Sequence, residues 1–496
     1  MTRFAALCGV AVILACRISA NVVDPDIWHE MALAREIISQ RHVPRDDTFA
    51  YTPTISPVVH HEWGAGIIAY LLATTAGAPG IVALKYALAF AMAIFGWLAA
   101  RRRGGSSVLL LVLAPVAILM AEVGFSTVRA QMYSLVGAAV LLYLIQLDVD
   151  GRRRWLATWL LLFTAWLNLH AGFLVGAGWF ALHWLEQLVR RQPHRHLLAT
   201  GMAMFCLIAL NPYGLHYFEY LWHATRLERP YVAEWAPIWQ VSLPCQQVMF
   251  AGSLLLLSYA VISRGPRNCR GLVIVLVTAF LAALHIRLLP FYALAWFVCL
   301  PGYLEPTRLA EATANVWTRW EMVILAAWLA ACAMAVTQAA TVKPWLLFVP
   351  GYQISWMPSS VQKIIYPVGP VSYLKQCGFR GNLMTHFNDG SYVMWKMHPR
   401  VKVSMDGRYE VAYPPWLAEE NQGLYATAQD WRRVLDRYAT DAVLIPKWSA
   451  LESVLKNSDW PRVYQDDGFA VYTRPGAAPA LPQADRSRQK ILGEFP

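Results

Sequence analysis

Carboxylates and histidines gather in one segment of the chain, residues 24–62, which follows the first apolar block. The groups it holds are Asp24, Asp26, His29, Glu30, Asp46, Asp47, His60, His61 and Glu62. A carboxylate held near an acceptor hydroxyl or amine can remove its proton as a general base. The segment therefore indicates a catalytic site that depends on one or more of its acids.

Cations and neutral polar side chains come from other turns, each at an end of an apolar stretch. These residues are Arg129, Gln131, Asn168, His170, Asn211, Tyr213, His216, His285 and Arg287. Arginine can hold a phosphate leaving group through paired hydrogen bonds and stabilise its growing negative charge. Because the acids and the arginines come from different turns, the pattern favours a transfer reaction with a phosphate leaving group.

Each of these groups also has a structural interpretation. Arg129 can contact lipid headgroups, and Asp24 or Asp26 can cap a helix that begins near Ile27, a position that aspartate favours. The run His60-His61-Glu62 can form hydrogen bonds at the membrane interface or contribute to a metal site, although two adjacent histidines rarely converge on one ion. The sequence leaves metal use open, with a divalent cation such as Mg or Mn as the candidate cofactor.

The elements that must position these groups are membrane helices. Hydrophobic residues make up 57% and charged residues 15% of the chain, against about 25% charged residues in soluble globular proteins. The apolar residues come in blocks of about 15 to 22, long enough to cross a bilayer. The net charge of +11 comes from basic clusters between these blocks, which indicates membrane topology rather than nucleic-acid binding. The eight cysteines have no paired spacing, which argues against a disulfide framework or a zinc site.

Basic clusters predict which side of the membrane each loop occupies. The clusters Arg101–Arg103, Arg152–Arg154, Arg190–Arg195 and Arg264–Arg270 are expected in the cytoplasm, because clustered basic residues resist translocation. The apolar segments between them predict about eleven transmembrane helices. These segments are 4–22, retained as an uncleaved helix, and 80–100, 107–122, 132–147, 155–169, 171–188, 197–211, 246–263, 271–285, 289–304 and 321–341.

Residues 1–341 are predicted to form the membrane domain. Its first outer loop, 24–79, is long and is expected to contain two helices that lie at the membrane interface, 27–40 and 63–76. The second of these is short for a transmembrane span and is rich in glycine. A spanning helix there would also reverse the side of every following loop.

The region after residue 341 has a different composition and predicts a small extracytoplasmic α/β domain over 342–475, followed by a flexible tail over 476–496. Its predicted elements are strands at Val401–Met405, Ala442–Ile445 and Phe469–Thr473 and a helix at 428–439. Asp389, Asp406 and Arg408 lie beside glycines at predicted turns. A structural role is favoured for them, with acceptor recognition as the alternative.

Several short motifs follow one another along most of the chain. In chain order they are Asp24-Pro-Asp-Ile-Trp-His-Glu, Asp47-Thr-Phe-Ala-Tyr-Thr, His61-Glu-Trp, Arg129-Ala-Gln, Trp166-Leu-Asn-Leu-His-Ala-Gly-Phe, Asn211-Pro-Tyr-Gly, Glu234-Trp, His285-Ile-Arg, His386-Phe-Asn-Asp-Gly-Ser-Tyr and Asp406-Gly-Arg. In this order they resemble a bacterial group of GT-C-type membrane glycosyltransferases. That group is distantly similar to the protein mannosyltransferases and the lipid A aminoarabinose transferase.

The resemblance implies a polyprenyl-phosphate sugar donor and chemistry on the outer face of the membrane. Counting back from Ala34-Arg35-Glu36 places the catalytic aspartate of the family at Asp26. The sequence departs from the family's Asp-Glu-Ala pattern, because Ile27 replaces the glutamate and an additional Asp24 precedes. The departure leaves open whether Asp24 or Asp26 is the base and whether a metal takes part.

Together, the residues and the resemblance predict a polytopic α-helical membrane protein of GT-C-like fold in a bacterial inner membrane. It is expected to move a sugar from a polyprenyl-phosphate donor to a protein, lipid or glycan acceptor on the extracytoplasmic face. In this hypothesis Asp26 is the general base, supported by Asp24 or Glu62, and Arg129 and Arg287 bind the donor phosphate. The other substrate-binding candidates are His61, Asn168, His170 and His285.

Two other classes of function stay open on the sequence alone. A lipid or glycan transporter or flippase is expected to contain inverted repeats and helices broken near the membrane midplane. A non-catalytic envelope assembly protein would use its C-terminal domain as the binding part. The polar residues lie at the outer ends of the apolar segments, which favours the transferase.

Overall fold

The computed structural model of the chain describes residues 2–227, 229, 232–355, 363–476, 481–487 and 489–496. It is a mostly helical protein whose chain divides into two compact units. The first, the helical unit, comprises Met1–Asn21, Val82–Glu219 and Arg226–Leu346. The second, the α/β unit, comprises Val22–Ile81, Tyr220–Thr225 and Leu347–Pro496.

The apolar runs of the sequence form most of the helices that precede residue 343. These helices are α1 (Thr2–Arg17), α2 (Pro25–Gln40), α3 (Trp63–Arg102), α4 (Ser107–Ala121), α5 (Gln131–Val149), α6 (Trp155–Leu169), α7 (Phe173–Val189), α8 (Arg195–Leu207), α9 (His216–Ala224), α10 (Pro244–Arg264), α11 (Leu272–Leu284), α12 (Leu289–Leu304), α13 (Arg308–Arg319) and α14 (Glu321–Val342). The bounds of α6 and α12 agree with the predicted segments at both ends.

Helix α12 forms the core of the helical unit. All 16 of its residues are buried, and it packs on α4, α10 and α11. A helix that is apolar on every side is stable when other helices surround it. Pro290 stands in its first turn, where the missing N–H costs no hydrogen bond.

Among the residues that the structure describes, six helical segments are long and apolar enough to cross a membrane. They are Trp63–Arg102, Ser107–Phe125, Gln131–Val149, Pro244–Arg264, Ile286–Leu304 and Glu321–Val342. The prediction of a multi-pass membrane protein is confirmed. The other predicted spans fall on α1, α6, α7, α8 and α11, which have 13 to 17 residues. That is shorter than the roughly 20 residues of a full crossing, so the total of about eleven stays a prediction.

Helix α3 contains the predicted separation between the segments 63–76 and 80–100. Gly77 has non-helical dihedral angles (φ 61°, ψ −152°), and Pro79 follows it. Glycine reaches a positive φ without the penalty of a Cβ atom. Proline has no backbone N–H to donate to the preceding helical turn, so it interrupts the helical hydrogen bonds. The break that the sequence predicted is therefore present at Gly77, whereas the interfacial position of 63–76 stays a prediction.

Short strands give the α/β unit its sheet. The strands of the chain are β1 (Val22–Val23), β2 (Thr127–Val128), β3 (Val349–Pro350), β4 (Gly381–Met384), β5 (Val401–Val403), β6 (Ala442–Pro446), β7 (Arg462–Gln465), β8 (Phe469–Thr473), β9 (Ala484–Asp485) and β10 (Leu492–Gly493). Six of them form one mixed sheet in the order β5-β4-β6-β8-β7-β9. β4 runs parallel to β5 and β6, and β8 runs antiparallel to β6 and β7. The three predicted strands correspond to β5, β6 and β8.

Helices follow and cover these strands. They are α15 (Val368–Gln376), α16 (Phe387–Met397), α17 (Tyr409–Ala412), α18 (Pro415–Thr427), α19 (Trp431–Arg437) and α20 (Ala450–Leu455). α16 packs on β5, and α15 packs on β7 and β8. α2 of the first loop packs on α16, so it joins the layer above the sheet.

The first loop is also bonded to the edge of the sheet. Val403 of β5 donates its N–H to the Phe49 carbonyl oxygen, and its own carbonyl oxygen accepts the N–H of Tyr51, each at 3.1 Å. The predicted domain division placed 24–79 with the membrane domain. The structure differs, because these backbone bonds and the packing of α2 make Val22–Ile81 part of the α/β unit.

The segment 476–496, predicted to be a flexible tail, has ordered contacts in its described residues. β9 pairs in parallel with β7, and β10 pairs antiparallel with β3. Lys396 donates to the carbonyl oxygens of Glu494 and Pro496 at 3.0 and 2.9 Å. The composition of the segment gave no sign of these bonds, because backbone pairing needs no particular side chain.

Candidate functional site

The two aspartates at the start of α2 have different environments. Asp24 is the N-cap of the helix: its backbone is extended, and its Oδ1 accepts the N–H of Asp26 at 3.0 Å. Asp24 is 5% exposed, whereas Asp26 is half-buried. Pro25 reinforces this helix start, because its fixed φ suits the first helical position. The capping role that the sequence allowed for either aspartate belongs to Asp24.

Glu30 lies one helical turn after Asp26, on the same side of α2. It is buried and shares a hydrogen bond with the carboxyl group of Glu62. Burial first, and then the nearby charge of Glu62, raise the pKa of Glu30 well above its usual range, because two close buried carboxylates do not both ionise readily. The raised pKa favours the protonated form of Glu30, which can donate to Glu62.

Glu62 continues this chain of hydrogen bonds through His61 to Tyr220. His61 Nε2 lies 3.3 Å from Glu62 Oε1, and His61 Nδ1 lies 2.8 Å from Tyr220 Oη. The His61 and Tyr220 rings are stacked, with centroids 5.4 Å apart. The tyrosine hydroxyl can donate to Nδ1 while Nε2–H donates to the carboxylate, which fixes the imidazole between two partners.

His29 and Asp26 lie beside the backbone of Gly407. His29 Nδ1 is 3.3 Å from Ser391 Oγ, and that hydroxyl oxygen accepts the Gly407 N–H at 2.9 Å. A Cβ atom at position 407 would lie 3.3 Å from Asp26 Oδ1 and 3.4 Å from His29 Nδ1. Burial lowers the pKa of His29 to about 4, so this imidazole is neutral at pH 7.

Arg408, the residue after Gly407, is the centre of a buried ion network. It donates through Nε and Nη2 to the two carboxylate oxygens of Asp406, at 2.8 and 2.7 Å, and through Nη1 to Asp47. Tyr413 Oη donates to Asp406 Oδ2 at 2.6 Å. Burial opposes ionisation of Asp406, but Arg408 outweighs it and holds the pKa of that carboxyl well below its usual range. The structural role predicted for Asp406 and Arg408 agrees with this geometry.

The predicted phosphate-binding arginines of the helical unit meet at one carboxylate. Arg129, 9% exposed, donates through Nη1 to Glu234 Oε1. Arg287 Nη1 lies 3.7 Å from Glu234 Oε2. Burial alone would raise the pKa of Glu234, but Arg129 and Arg287 outweigh it and hold the pKa below its ordinary value. Glu234 is therefore a carboxylate at neutral pH, and the two arginines form a site suited to an anion with at least two oxygens.

Trp235 extends this arginine site. The guanidinium groups of Arg229 and Arg287 lie over its ring, 4.5 and 5.8 Å from the centroid. His285 Nδ1 donates to the Trp235 carbonyl oxygen at 2.8 Å, because a carbonyl oxygen can only accept. The backbone is tied as well, since Ile286 N donates to the carbonyl oxygen of Ala236 at 3.1 Å. His285 thus positions the Glu234-Trp235 turn.

His170 and Asn168, the remaining candidates, have contacts that hold helix ends. His170 Nδ1 accepts the N–H of Gly172 at 2.8 Å and lies 2.7 Å from Ser134 Oγ. Asn168 donates to the carbonyl oxygens of Thr164 and Leu210 at 2.9 and 3.0 Å. These bonds give both residues structural roles, and their assignment to substrate binding stays a prediction.

The sequence alone assigns no role to several residues of these clusters. They are His29, Glu30, Tyr220, Arg229 and Glu234. Glu30 has a detectable signal, because it follows Asp26 by four positions on a predicted helix. Glu234 also stood in a recognised motif, but nothing in its own segment indicates Arg129 as its partner, 105 positions away.

A metal site receives no support from the placement of these side chains. Across the described ranges of the chain, no group of three or more His, Cys, Asp or Glu side chains is arranged to hold a metal ion. The acids of the first loop are held by capping and by hydrogen bonds to one another instead. The divalent cation, Mg or Mn, stays a prediction.

Known proteins share the fold but not the sequence of this chain. No protein-family model and no curated protein sequence matches it. The crystal structure of ArnT from Cupriavidus metallidurans bound to undecaprenyl phosphate superposes with a TM-score of 0.50, over 97% of this chain and 99% of ArnT, at 14% sequence identity. ArnT is a GT-C-type lipid A aminoarabinose transferase. The predicted resemblance is confirmed at the level of the fold, which this chain shares with ArnT.

Proposed function

We propose that the protein is a membrane glycosyltransferase that moves a sugar from a polyprenyl-phosphate donor to an acceptor on the extracytoplasmic face of a bacterial inner membrane. The observation that carries the proposal is the pair of arginines, Arg129 and Arg287, that face one carboxylate, within a fold shared with ArnT. ArnT was crystallised with undecaprenyl phosphate. Two convergent guanidinium groups suit the phosphate of such a lipid.

Asp26 is the proposed general base. Asp24 is engaged as the helix cap and buried, and burial together with the nearby Glu62 raises the pKa of Glu30. Asp26 is the half-buried member of this group and lies against Gly407, a residue without a side chain to cover it. An acceptor hydroxyl or amine at this position would lose its proton to Asp26 as its oxygen or nitrogen attacks the anomeric carbon.

Asp24 and Glu62 support Asp26 by different means. Asp24 fixes the backbone of Asp26 through the N–H it accepts. Glu62 shares a hydrogen bond with Glu30 and contacts His61, so it fixes the carboxyl group that lies one helical turn after Asp26. On the donor side, Arg129 and Arg287 would stabilise the negative charge that develops on the phosphate as the bond to the sugar breaks.

The proposal requires the outer turns to face away from the cytoplasm, as the pattern of about eleven spans predicts. Reporter fusions at residues 102, 153 and 265 should give a cytoplasmic signal. Fusions near residues 125, 225 and 400 should give an extracytoplasmic signal. A cytoplasmic signal near residue 400 would contradict the proposed location of the α/β unit.

Activity itself is tested in two steps. Mass spectrometry of the lipids and glycans in a deletion strain should show one sugar missing from one acceptor, and complementation should restore it. The purified full-length protein should bind undecaprenyl phosphate, and Arg129→Gln should lose that binding. Arg432→Gln is the matched control, because Arg432 is an exposed cation of the α/β unit. Unchanged glycans together with absent binding would reject the transferase.

A further inference from the structure

Glu234 is the carboxylate that the two donor-binding arginines share. Its Oε1 accepts from Arg129 and its Oε2 lies 3.7 Å from Arg287 Nη1. Each oxygen thus faces a different guanidinium group. This is the arrangement that two oxygens of a phosphate group would also take between the same two arginines.

A carboxylate and a phosphate would therefore compete for one pair of cations. Glu234 carries one negative charge and two oxygens. A phosphate ester carries three or more oxygens that can accept hydrogen bonds, and its charge reaches about −1.5 to −2 when it is a monoester. Arg129 and Arg287 cannot satisfy both anions with the same N–H groups, because each donor direction is fixed by the planar guanidinium.

We propose that Glu234 competes with the phosphate of the lipid donor for Arg129 and Arg287, so that binding of the phosphate displaces the Glu234 carboxylate from both arginines. The inference rests on the proposed function, because it names Glu234 as a residue that sets the affinity of the same site. The competition also favours release of the polyprenyl phosphate product, since the carboxylate can return to the arginines as the phosphate leaves.

The backbone around Glu234 permits this exchange without a large movement. Residues Ala233–Trp235 form a single turn, and both carbonyl oxygens that follow Glu234 are bonded to the 285–286 segment. The Trp235 ring is contacted by the guanidinium groups of both Arg229 and Arg287. The turn therefore stays in place while the Glu234 side chain, about one-third exposed, changes rotamer towards solvent.

The experiment measures binding of undecaprenyl phosphate to the purified full-length protein in detergent, for the wild type and three variants. Glu234→Gln removes the competing charge. Glu234→Asp keeps the charge but is one methylene shorter, so it cannot face both arginines from the same backbone position. Glu219→Gln is the matched control, because it removes a highly exposed carboxylate from the same connection between α8 and α10. Thermal denaturation of each variant confirms that it is folded.

Glu234→Gln and Glu234→Asp should both bind undecaprenyl phosphate about tenfold more tightly than the wild type, the effect of losing one charge-assisted competitor. Glu219→Gln should bind like the wild type. If Glu234→Gln bound more tightly and Glu234→Asp did not, the negative charge of Glu234 alone would set the affinity. That result would overturn the proposal that the phosphate displaces the carboxylate from the arginines. Weaker binding by either Glu234 variant would overturn it as well. Absence of binding by the wild type itself would reject the proposed function along with the inference, so the two failures are distinguishable.

Discussion

Arg408 donates a hydrogen bond to Asp47, although 361 positions separate the two residues in the chain. The side chains of both are 1% exposed. Arg408 also binds Asp406 in a bidentate pair, so one cation compensates two buried carboxylates. The bond connects the motif Asp47-Thr-Phe-Ala-Tyr of the first loop to the motif Asp406-Gly-Arg of the C-terminal region. The two motifs are therefore parts of one structural unit.

Replacement of Arg408 should destabilise the α/β unit. Arg408→Ala leaves Asp47 and Asp406 buried without their cation, and removal of one partner of a buried pair typically costs about 3–5 kcal/mol. Denaturation of the purified protein should show this loss, and limited proteolysis should show faster cleavage within residues 40–60. Arg432→Ala, which removes an exposed ion pair with Asp459, should leave the melting temperature unchanged. Equal stability of Arg408→Ala and the wild type would mean that the network does not hold the first loop.

Two glycines of the α/β unit should respond oppositely to alanine. At Gly390 in α16, a Cβ atom would overlap the Met405 carbonyl oxygen and lie 2.8 Å from its carbonyl carbon. Gly390→Ala must push α16 away from that backbone, and we expect a loss of about 1–3 kcal/mol. At Gly423 in α18 nothing lies within 4 Å, so Gly423→Ala should gain up to about 1 kcal/mol from helix propensity. Thermal denaturation of both variants checks the contrast, and a stable Gly390→Ala protein would show that the packing of α16 is looser than described.

The sequence predicted the elements better than the contacts between them. The bounds of α6 and α12 follow from uninterrupted apolar runs, and the break at Gly77 follows from glycine and proline within four residues. The pairing of Arg129 with Glu234 and the bonds of Phe49 and Tyr51 to β5 could not be predicted in the same way. They join distant segments through one or two atoms and leave no periodic signal in either segment.

The different roles of Asp24 and Asp26 were unpredictable for a related reason. Both residues are aspartates at a helix start, and either can serve as an N-cap. Only the position of the first helical turn decides which carboxylate faces the N–H groups of the helix. A shift of the helix start by two residues would exchange their roles, and sequence patterns locate helix ends less reliably than that.

Asp389 should make the stability of the protein depend on pH. Burial raises the pKa of Asp389 from its ordinary value of 3.8 to about 8, and its Oδ2 has no hydrogen-bond partner among the described residues. The folded state therefore keeps a proton that the unfolded chain loses near pH 4. Its stabilising contribution is complete below that pH and is lost as the pH rises towards 8. The melting temperature of the wild type should fall between pH 5 and pH 8.5. Asp389→Asn, which stays neutral, should show a smaller fall, and an identical fall in both proteins would contradict the assignment.

The last prediction separates Asp26 from Asp24 as the catalytic base. Asp26→Asn keeps the size of the side chain but removes its basicity, and general-base catalysis commonly contributes about 10²–10⁴-fold to the rate. The variant should fold, bind undecaprenyl phosphate like the wild type, and lose sugar transfer by about that factor. Asp24→Asn should retain most activity, because asparagine caps a helix about as well as aspartate. Asp24→Ala should lose about 1 kcal/mol of stability with the cap bond to the Asp26 N–H.

Transfer rates and denaturation curves of the three variants give a pattern that a purely structural role for Asp26 cannot produce. If Asp24→Asn lost transfer while Asp26→Asn kept more than about a tenth of it, far above the loss expected for a general base, Asp24 would be the base despite its capping bond.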